Sequence, residues 1–231
     1  ARYWLAFGAD GFRCDYADGP SADFWVDFRR VCRDAKPDAW LFGEVVRTPE
    51  VQRQFSGGLD GTLDFLGCQT LREVIGRRAW PVSRLLALVK DEQAYFPAEF
   101  SRPLFIDNHD MNRFFFTAED DLKRLAAALV FLYMLPQPPI VYNGTETPLS
   151  QQRSIHDKAS IGFDEARLRM DWAKQPALAG LIRALSALRE ENPDLLEAGW
   201  QLDFADDERG LLSLRRNMSR NRVWQFVLNL G

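Results

Sequence analysis

The 231 residues are 46% hydrophobic and 27% charged, with 29 basic against 33 acidic side chains mixed along the chain for a net charge of -4. That balance excludes a disordered or collagen-like protein, and no basic face of the kind a phosphate backbone requires is present. The longest apolar run, residues 125–135, is short of the roughly 18 residues that suggest a bilayer span, so neither nucleic acid nor membrane is an expected partner.

Residues 1–7 read as the last turns of a helix closed by Gly8, with no initiator methionine and no signal-peptide pattern. The chain stops in a strand-like run, so both ends read as cut, and a cytoplasmic location is the expectation. Between them, short apolar runs alternate with amphipathic helical segments, the pattern of repeated βα units around a parallel sheet. A first strand is expected at 11–15. A helix follows from an N-cap at Ser21 to residue 35, with Phe24, Trp25, Phe28 and Val31 at helical spacing and a break at Lys36-Pro37-Asp38. A second strand is expected at 40–46, a short helix at 48–54 and a weaker strand at 59–65. Helices at 71–77 and 82–95 lead to a strongly marked strand at 103–110, a long buried helix at 119–135 and a fifth strand at 138–142. After a polar stretch, Leu178, Leu181, Ile182, Leu185 and Leu188 line one face of a last helix that ends near Asn192-Pro193. The period then changes. Residues 210–216 and 222–230 read as β runs joined by a turn at 217–221, placing the start of an antiparallel domain near residue 195.

Cys14, Cys32 and Cys68 form no CxxC pair, which points to reduced core thiols and against a disulfide framework or thiolate zinc site. His109 and His156 have no Cys or His at ligand spacing, so no metal ligands are assigned.

Three of the five parallel-type strands end in a carboxylate: Asp15, Glu44 and Asp110. In a βα barrel the carboxyl ends of the strands form the active-site face, where these acids would converge. A single strand-end Asp is more often an N-cap or half of an ion pair, but three together point to a site. Arg13 lies two residues before Asp15, on the same side of the strand, and a guanidinium there keeps a carboxylate ionised. His109, beside Asp110, can donate to a hydroxyl as a neutral imidazole. The plain alternatives are a counter-ion for Arg13 and a satisfied core residue for His109. One carboxylate held anionic and another able to donate a proton suit cleavage of an acetal by double displacement. A barrel using the three acids as Mg²⁺ ligands is disfavoured by Arg13 beside Asp15.

Gly11-Phe12-Arg13-Cys14-Asp15, Phe42-Gly43-Glu44-Val45 and Phe105-Ile106-Asp107-Asn108-His109-Asp110 resemble, in order and spacing, three signature segments of the α-amylase family of glycoside hydrolases. Residues 140–146 likewise resemble the family's last barrel strand. The resemblance implies Asp15 as nucleophile, Glu44 as general acid/base, Asp110 as the transition-state stabiliser that holds sugar hydroxyls, and Arg13 and His109 in support. It implies an α/β fold: a partial (β/α)8 TIM barrel, about strands 4 to 8, over residues 1–194, followed at 195–231 by the start of an antiparallel β domain. The implied function is a retaining hydrolase of α-glucans or maltooligosaccharides working through a covalent glycosyl-enzyme. An α-glucan transglycosylase and a non-catalytic amylase-like partner module are the alternatives. Tyr16, Phe114 and Tyr142 are candidates to stack on pyranose rings, and Arg113 either anchors a hydroxyl or closes its loop. No cofactor is expected in this chain; a calcium site would belong with the missing N-terminal half of the barrel, and without that half the chain alone is expected to be inactive. Residues 16–19 read Tyr-Ala-Asp-Gly where many α-amylases have Lys-His on the leaving-group side, which favours a shorter α-glucoside over endo-acting starch cleavage.

Overall fold

A computed structural model describes residues 1–173, 176–196, 199–217 and 223–231. The chain divides into two units, residues 1–65 with 92–103, and residues 66–91 with 104–231.

In the first unit, helix α1 (Arg2–Phe7) stops at Gly8, whose φ of 118° lets its N–H turn back to the carbonyls of Leu5 and Trp4. Strand β1 (Gly11–Cys14), helix α2 (Ala22–Ala35), strand β2 (Trp40–Gly43), helix α3 (Pro49–Arg53) and strand β3 (Gly61–Thr62) follow, with a 3₁₀ turn at Gln54–Gly57. The strands form a parallel sheet in the order β1-β2-β3, with Gly11 paired to Trp40 and Cys14 to Gly43. This register puts Asp15 and Glu44 at equivalent steps beyond the paired strand ends. Gly43 is required by close approach: a Cβ there would lie 2.7 Å from Leu59 Cδ1 and 2.8 Å from the Ala17 Cβ. Helix α2 buries Trp25 and Cys32 beside Leu41, Leu59, Phe96 and Phe100. Arg29 and Arg33 reach Asp60 Oδ1 at 2.6 and 2.8 Å, and Asp60 Oδ2 accepts the Leu41 N–H at 2.9 Å. Ser21 takes the N-cap position of α2, yet its side chain makes no capping bond.

The second unit is built around helix α7 (Leu122–Met134), whose N-terminus is capped by the Asp121 carboxylate accepting from the Lys123 and Arg124 N–H groups. Leu125, Leu129, Phe131 and Leu132 of α7 are buried among Val74, Ile75, Leu85, Leu104 and Leu185. Ahead of α7 come α4 (Phe65–Leu71), a wide π turn at Arg72–Gly76, α5 (Ser83–Tyr95), β4 (Leu104–Phe105) and α6 (Phe114–Thr117). After it come β5 (Pro139–Ile140), parallel to β4, and α8 (Ala179–Glu191). The antiparallel sheet of β6 (Trp200–Asp206), β7 (Leu211–Asn217) and β8 (Val223–Asn229) joins this core. Phe226 meets Phe131 ring to ring at 5.6 Å, and Trp200 donates to the Met134 carbonyl at 3.0 Å.

Several expected elements are corrected. The strands expected at 59–65, 103–110 and 138–142 shrink to two paired residues each. Pro103, Pro138 and Pro139 bring no N–H to a ladder, and beyond Ile106 the Asp107 and Asn108 side chains capture backbone N–H groups instead. The helix expected at 71–77 begins at Phe65 and ends in the π turn. Strand β6 had no sequence signal: Leu202 and Phe204 are exposed, and a register shift between them breaks the alternation. The turn expected at 217–221 falls largely on residues 218–222, outside the described residues. Among the described residues no helix is long and apolar enough to cross a membrane.

Candidate active site

In the first unit the ends of β1 and β2 are sewn together. The Glu44 N–H donates to the Cys14 carbonyl at 2.8 Å and the Ala17 N–H to the Glu44 carbonyl at 2.9 Å. Arg13 lies between the acids: Nη1 contacts Asp15 Oδ1, and Nη2 stands 3.1 Å from Glu44 Oε2. One guanidinium therefore touches both carboxylates, although their settings differ: the Asp15 side chain is 76% exposed and that of Glu44 only 14%. Tyr16 follows Asp15 with φ at 44°, a left-handed conformation that costs a non-glycine residue about 1 kcal/mol or more, and its N–H points to Glu44 Oε2 at 3.4 Å. Its exposed ring lies on Gly19, where a Cβ would come within 2.6 Å of Tyr16 Cε1. The loops after the two strands are bridged again by Arg47 Nε on Asp18 Oδ2 at 2.5 Å. Gln52 fixes the backbone after Glu44 by donating to the carbonyls of Val45 and Arg47 at 3.0 and 2.9 Å. Burial pushes the Cys14 thiol up to about 11, so it is an inert neighbour of Asp15; all three cysteines are buried.

In the second unit, Asp110 sits on the loop beyond β4. His109 Nε2 stands 3.0 Å from Asp110 Oδ2, and Arg167 Nη2 stands 2.8 Å from Oδ1. Arg167 Nε also donates to the His109 carbonyl at 3.0 Å, so one side chain grips both the backbone and the carboxylate. Asn108 Oδ1 accepts the Asp110 N–H at 2.8 Å. Arg113 is 1% exposed: Nε donates to the Ala166 carbonyl at 2.8 Å, Nη1 to the Asn143 carbonyl at 2.6 Å, and the guanidinium lies 4.0 Å from the centre of the Tyr142 ring. Of its two expected roles, these contacts are those of a residue that closes the loop, and they cover one face of half-buried Tyr142. Phe114 is fully buried in the core, which corrects the expectation that it could stack on a sugar.

Arg167, Asn112 and Gln151 were not legible as site residues. Asn112 Oδ1 accepts from Gln151 Nε2 at 2.7 Å and from the Ile155 N–H at 2.8 Å, while Gln151 Oε1 accepts the Arg113 N–H at 2.7 Å. For Arg167 and Gln151 the polar composition of residues 143–174 was the only signal, and it does not single out any one side chain; Asn112, two residues after Asp110, carried none. Among the described residues no group of three or more His, Cys, Asp or Glu side chains could hold a metal ion.

The arrangement supplies, in one unit, a well-exposed carboxylate beside a shielded one with a cation between them. In the other it supplies a carboxylate flanked by an imidazole and a guanidinium. Comparison with known proteins adds a family match: the model of the α-amylase catalytic domain fits residues 1–193. α-Amylase 2 of Dictyoglomus thermophilum is 32% identical over 210 residues, covering 89% of this chain and 37% of that protein. A cyclomaltodextrinase of a Bacillus species is 24% identical over 220 residues, covering 85% of this chain and 39% of its own. The crystal structure of an Anoxybacillus α-amylase superposes with a TM-score of 0.86 at 23% identity, over 99% of this chain and 49% of that one. The fold is thus that of a partial TIM barrel followed by an antiparallel sheet. The chain spans about two fifths of the length of the relatives it matches.

Proposed function

This chain belongs to the α-amylase family of glycoside hydrolases, and from that premise we propose that the protein is a retaining enzyme acting on α-glucans or maltooligosaccharides. Asp15 attacks the anomeric carbon as the glycosidic bond breaks, giving a glycosyl ester, while Glu44 protonates the departing oxygen. Glu44 then takes a proton from the acceptor hydroxyl, whose oxygen displaces Asp15. Water as acceptor gives hydrolysis and a sugar hydroxyl gives transfer, so the two reactions share their first half. The role proposed for Asp110, flanked in its own unit by His109 and Arg167, is to hold sugar hydroxyls.

The observation that carries this reading is Arg13. Two carboxylates 29 residues apart in sequence are brought by parallel pairing onto one guanidinium, as a double displacement on a single carbon requires. The exposure difference supports these roles: the open Asp15 has room for a sugar ring, and the shielded Glu44 stands largely out of bulk water.

The test uses the full-length protein with a maltooligosaccharide and with an α-glucosyl fluoride, whose leaving group needs no proton. Asp15→Asn should abolish turnover of both. Glu44→Gln should slow the first step on the oligosaccharide by about 10²-fold or more while leaving that step on the fluoride nearly intact. Equal slowing on both substrates would refute the acid/base role.

A further inference from the structure

The loop that carries Asp110 holds a second carboxyl group that the mechanism above does not use. Asp107 is 3% exposed, three residues before Asp110 on the loop that leaves β4. Its Oδ2 accepts the Phe114 N–H at 2.8 Å, while Oδ1 is buried with no hydrogen-bond partner among the described residues. The Phe114 N–H opens α6, so this one bond ties the two ends of the 107–114 loop and closes a ring of backbone that contains Asn108, His109 and Asp110. Next to the closure, Arg113 anchors the same loop to the carbonyls of Asn143 and Ala166.

We propose that Asp107 is a positioning residue for Asp110, and that it acts as a hydrogen-bond acceptor for the Phe114 N–H and not as an anion. The inference rests on the catalytic reading of Asp110 and adds to it the group that sets where Asp110 stands. Two observations support the neutral role. A buried carboxylate is normally paired, and an ionised Asp107 would leave Oδ1 desolvated without a hydrogen bond among the described residues. The nearby arginines are engaged elsewhere. Arg72 donates to the Ile106 carbonyl at 3.0 Å and to Thr117 Oγ1 at 2.7 Å, Arg113 donates to backbone carbonyls, and among the described residues neither makes an ion pair with Asp107. Consistent with this, burial is the largest influence on Asp107 and pushes its pKa up, against the opposing pull of the Phe114 N–H, Arg113 and Arg72.

The geometry separates the two functions of a carboxyl group. Asparagine keeps an acceptor oxygen and removes the charge; alanine removes both and strands the buried Phe114 N–H; leucine removes both while filling the space. In the full-length protein, assayed on maltotetraose well below the melting temperature, Asp107→Ala and Asp107→Leu should lower kcat by about tenfold or more with a smaller change in KM. Asp107→Asn should stay within about threefold of the parent, a rescue by the conservative variant. A loss with Asp107→Asn as large as with Asp107→Ala would overturn the acceptor role in favour of the charge. An unchanged kcat in Asp107→Ala would overturn the positioning role. If neither the alanine nor the leucine variant folds, the asparagine variant decides: within threefold supports the proposal, tenfold loss rejects it. Full activity of Asp110→Asn would instead refute the catalytic reading on which the proposal stands.

Discussion

The two units place their acids by different physical means. In the first, Asp15 and Glu44 follow directly from strands paired over four residues, and main-chain bonds from Glu44 to Cys14 and from Ala17 to Glu44 carry the pairing past the strand ends. In the second, Asp110 lies five residues beyond a two-residue strand, and side chains hold it: Asn108, Arg113, Asn112, Gln151 and Arg167. A ladder fixes position through bonds that any sequence can make. A side-chain network fixes it through bonds that single substitutions remove. The second arrangement is therefore the more vulnerable to change at a distance from the acid itself.

The largest effects remove the acids. Asp15→Asn should cost about 10⁴-fold or more in kcat on every glycoside, and Asp110→Asn about 10²- to 10³-fold, measured by reducing-sugar release. A smaller loss at Asp15 than at Asp110 would reverse the roles given to the two units. Next come the supports. Arg113→Ala strands the buried Ala166 carbonyl, frees that of exposed Asn143 and leaves a cavity where the buried guanidinium stood, and should lower stability by about 2–4 kcal/mol in urea unfolding. Arg47→Ala, which breaks an exposed ion pair in the first unit, should change stability by no more than about 1 kcal/mol. Equal costs would remove the contrast between ladder and network. Arg167→Ala should reduce kcat/KM by about tenfold with little change in melting temperature, because the arginine is partly exposed and contacts the Asp110 carboxylate directly.

The smallest effect is a pH dependence. Burial raises the folded-state pKa of Asp107 above its unfolded value of about 3.9, so folding favours the protonated form. Its contribution to stability is therefore full below that unfolded value and is lost as pH rises through the folded one. Asp107→Asn does not titrate, and the difference in melting temperature between variant and parent should move in the variant's favour between about pH 4 and pH 8. A constant difference across that range would mean that Asp107 does not titrate differently in the folded state.

This contrast also accounts for what the sequence made legible. Strand period and the flanking Gly-Phe-Arg-Cys and Trp-Leu-Phe-Gly runs locate Asp15 and Glu44, because a parallel ladder translates sequence pattern directly into neighbours. Asp110 was legible as a residue but not in its setting. Its expected strand dissolves after Phe105, where Asp107 and Asn108 bond to backbone, and a short polar side chain looks the same in sequence whether it caps, turns or faces substrate. Arg167 comes from a stretch without periodicity, 57 residues from Asp110, and nothing local marks it. Phe114 was a candidate to stack on a sugar from its place near a strand end, yet it packs in the core at the start of α6.

The most direct test of the central reading is to trap the covalent intermediate. The full-length protein, treated with a 5-fluoro-α-glucosyl fluoride whose second step is slow, should gain the mass of one fluoroglucosyl unit. Proteolysis should then place the adduct on the peptide containing Asp15, with none formed by Asp15→Asn. An adduct on another residue, or release of products with inverted anomeric configuration, would contradict the assignment of Asp15 as nucleophile.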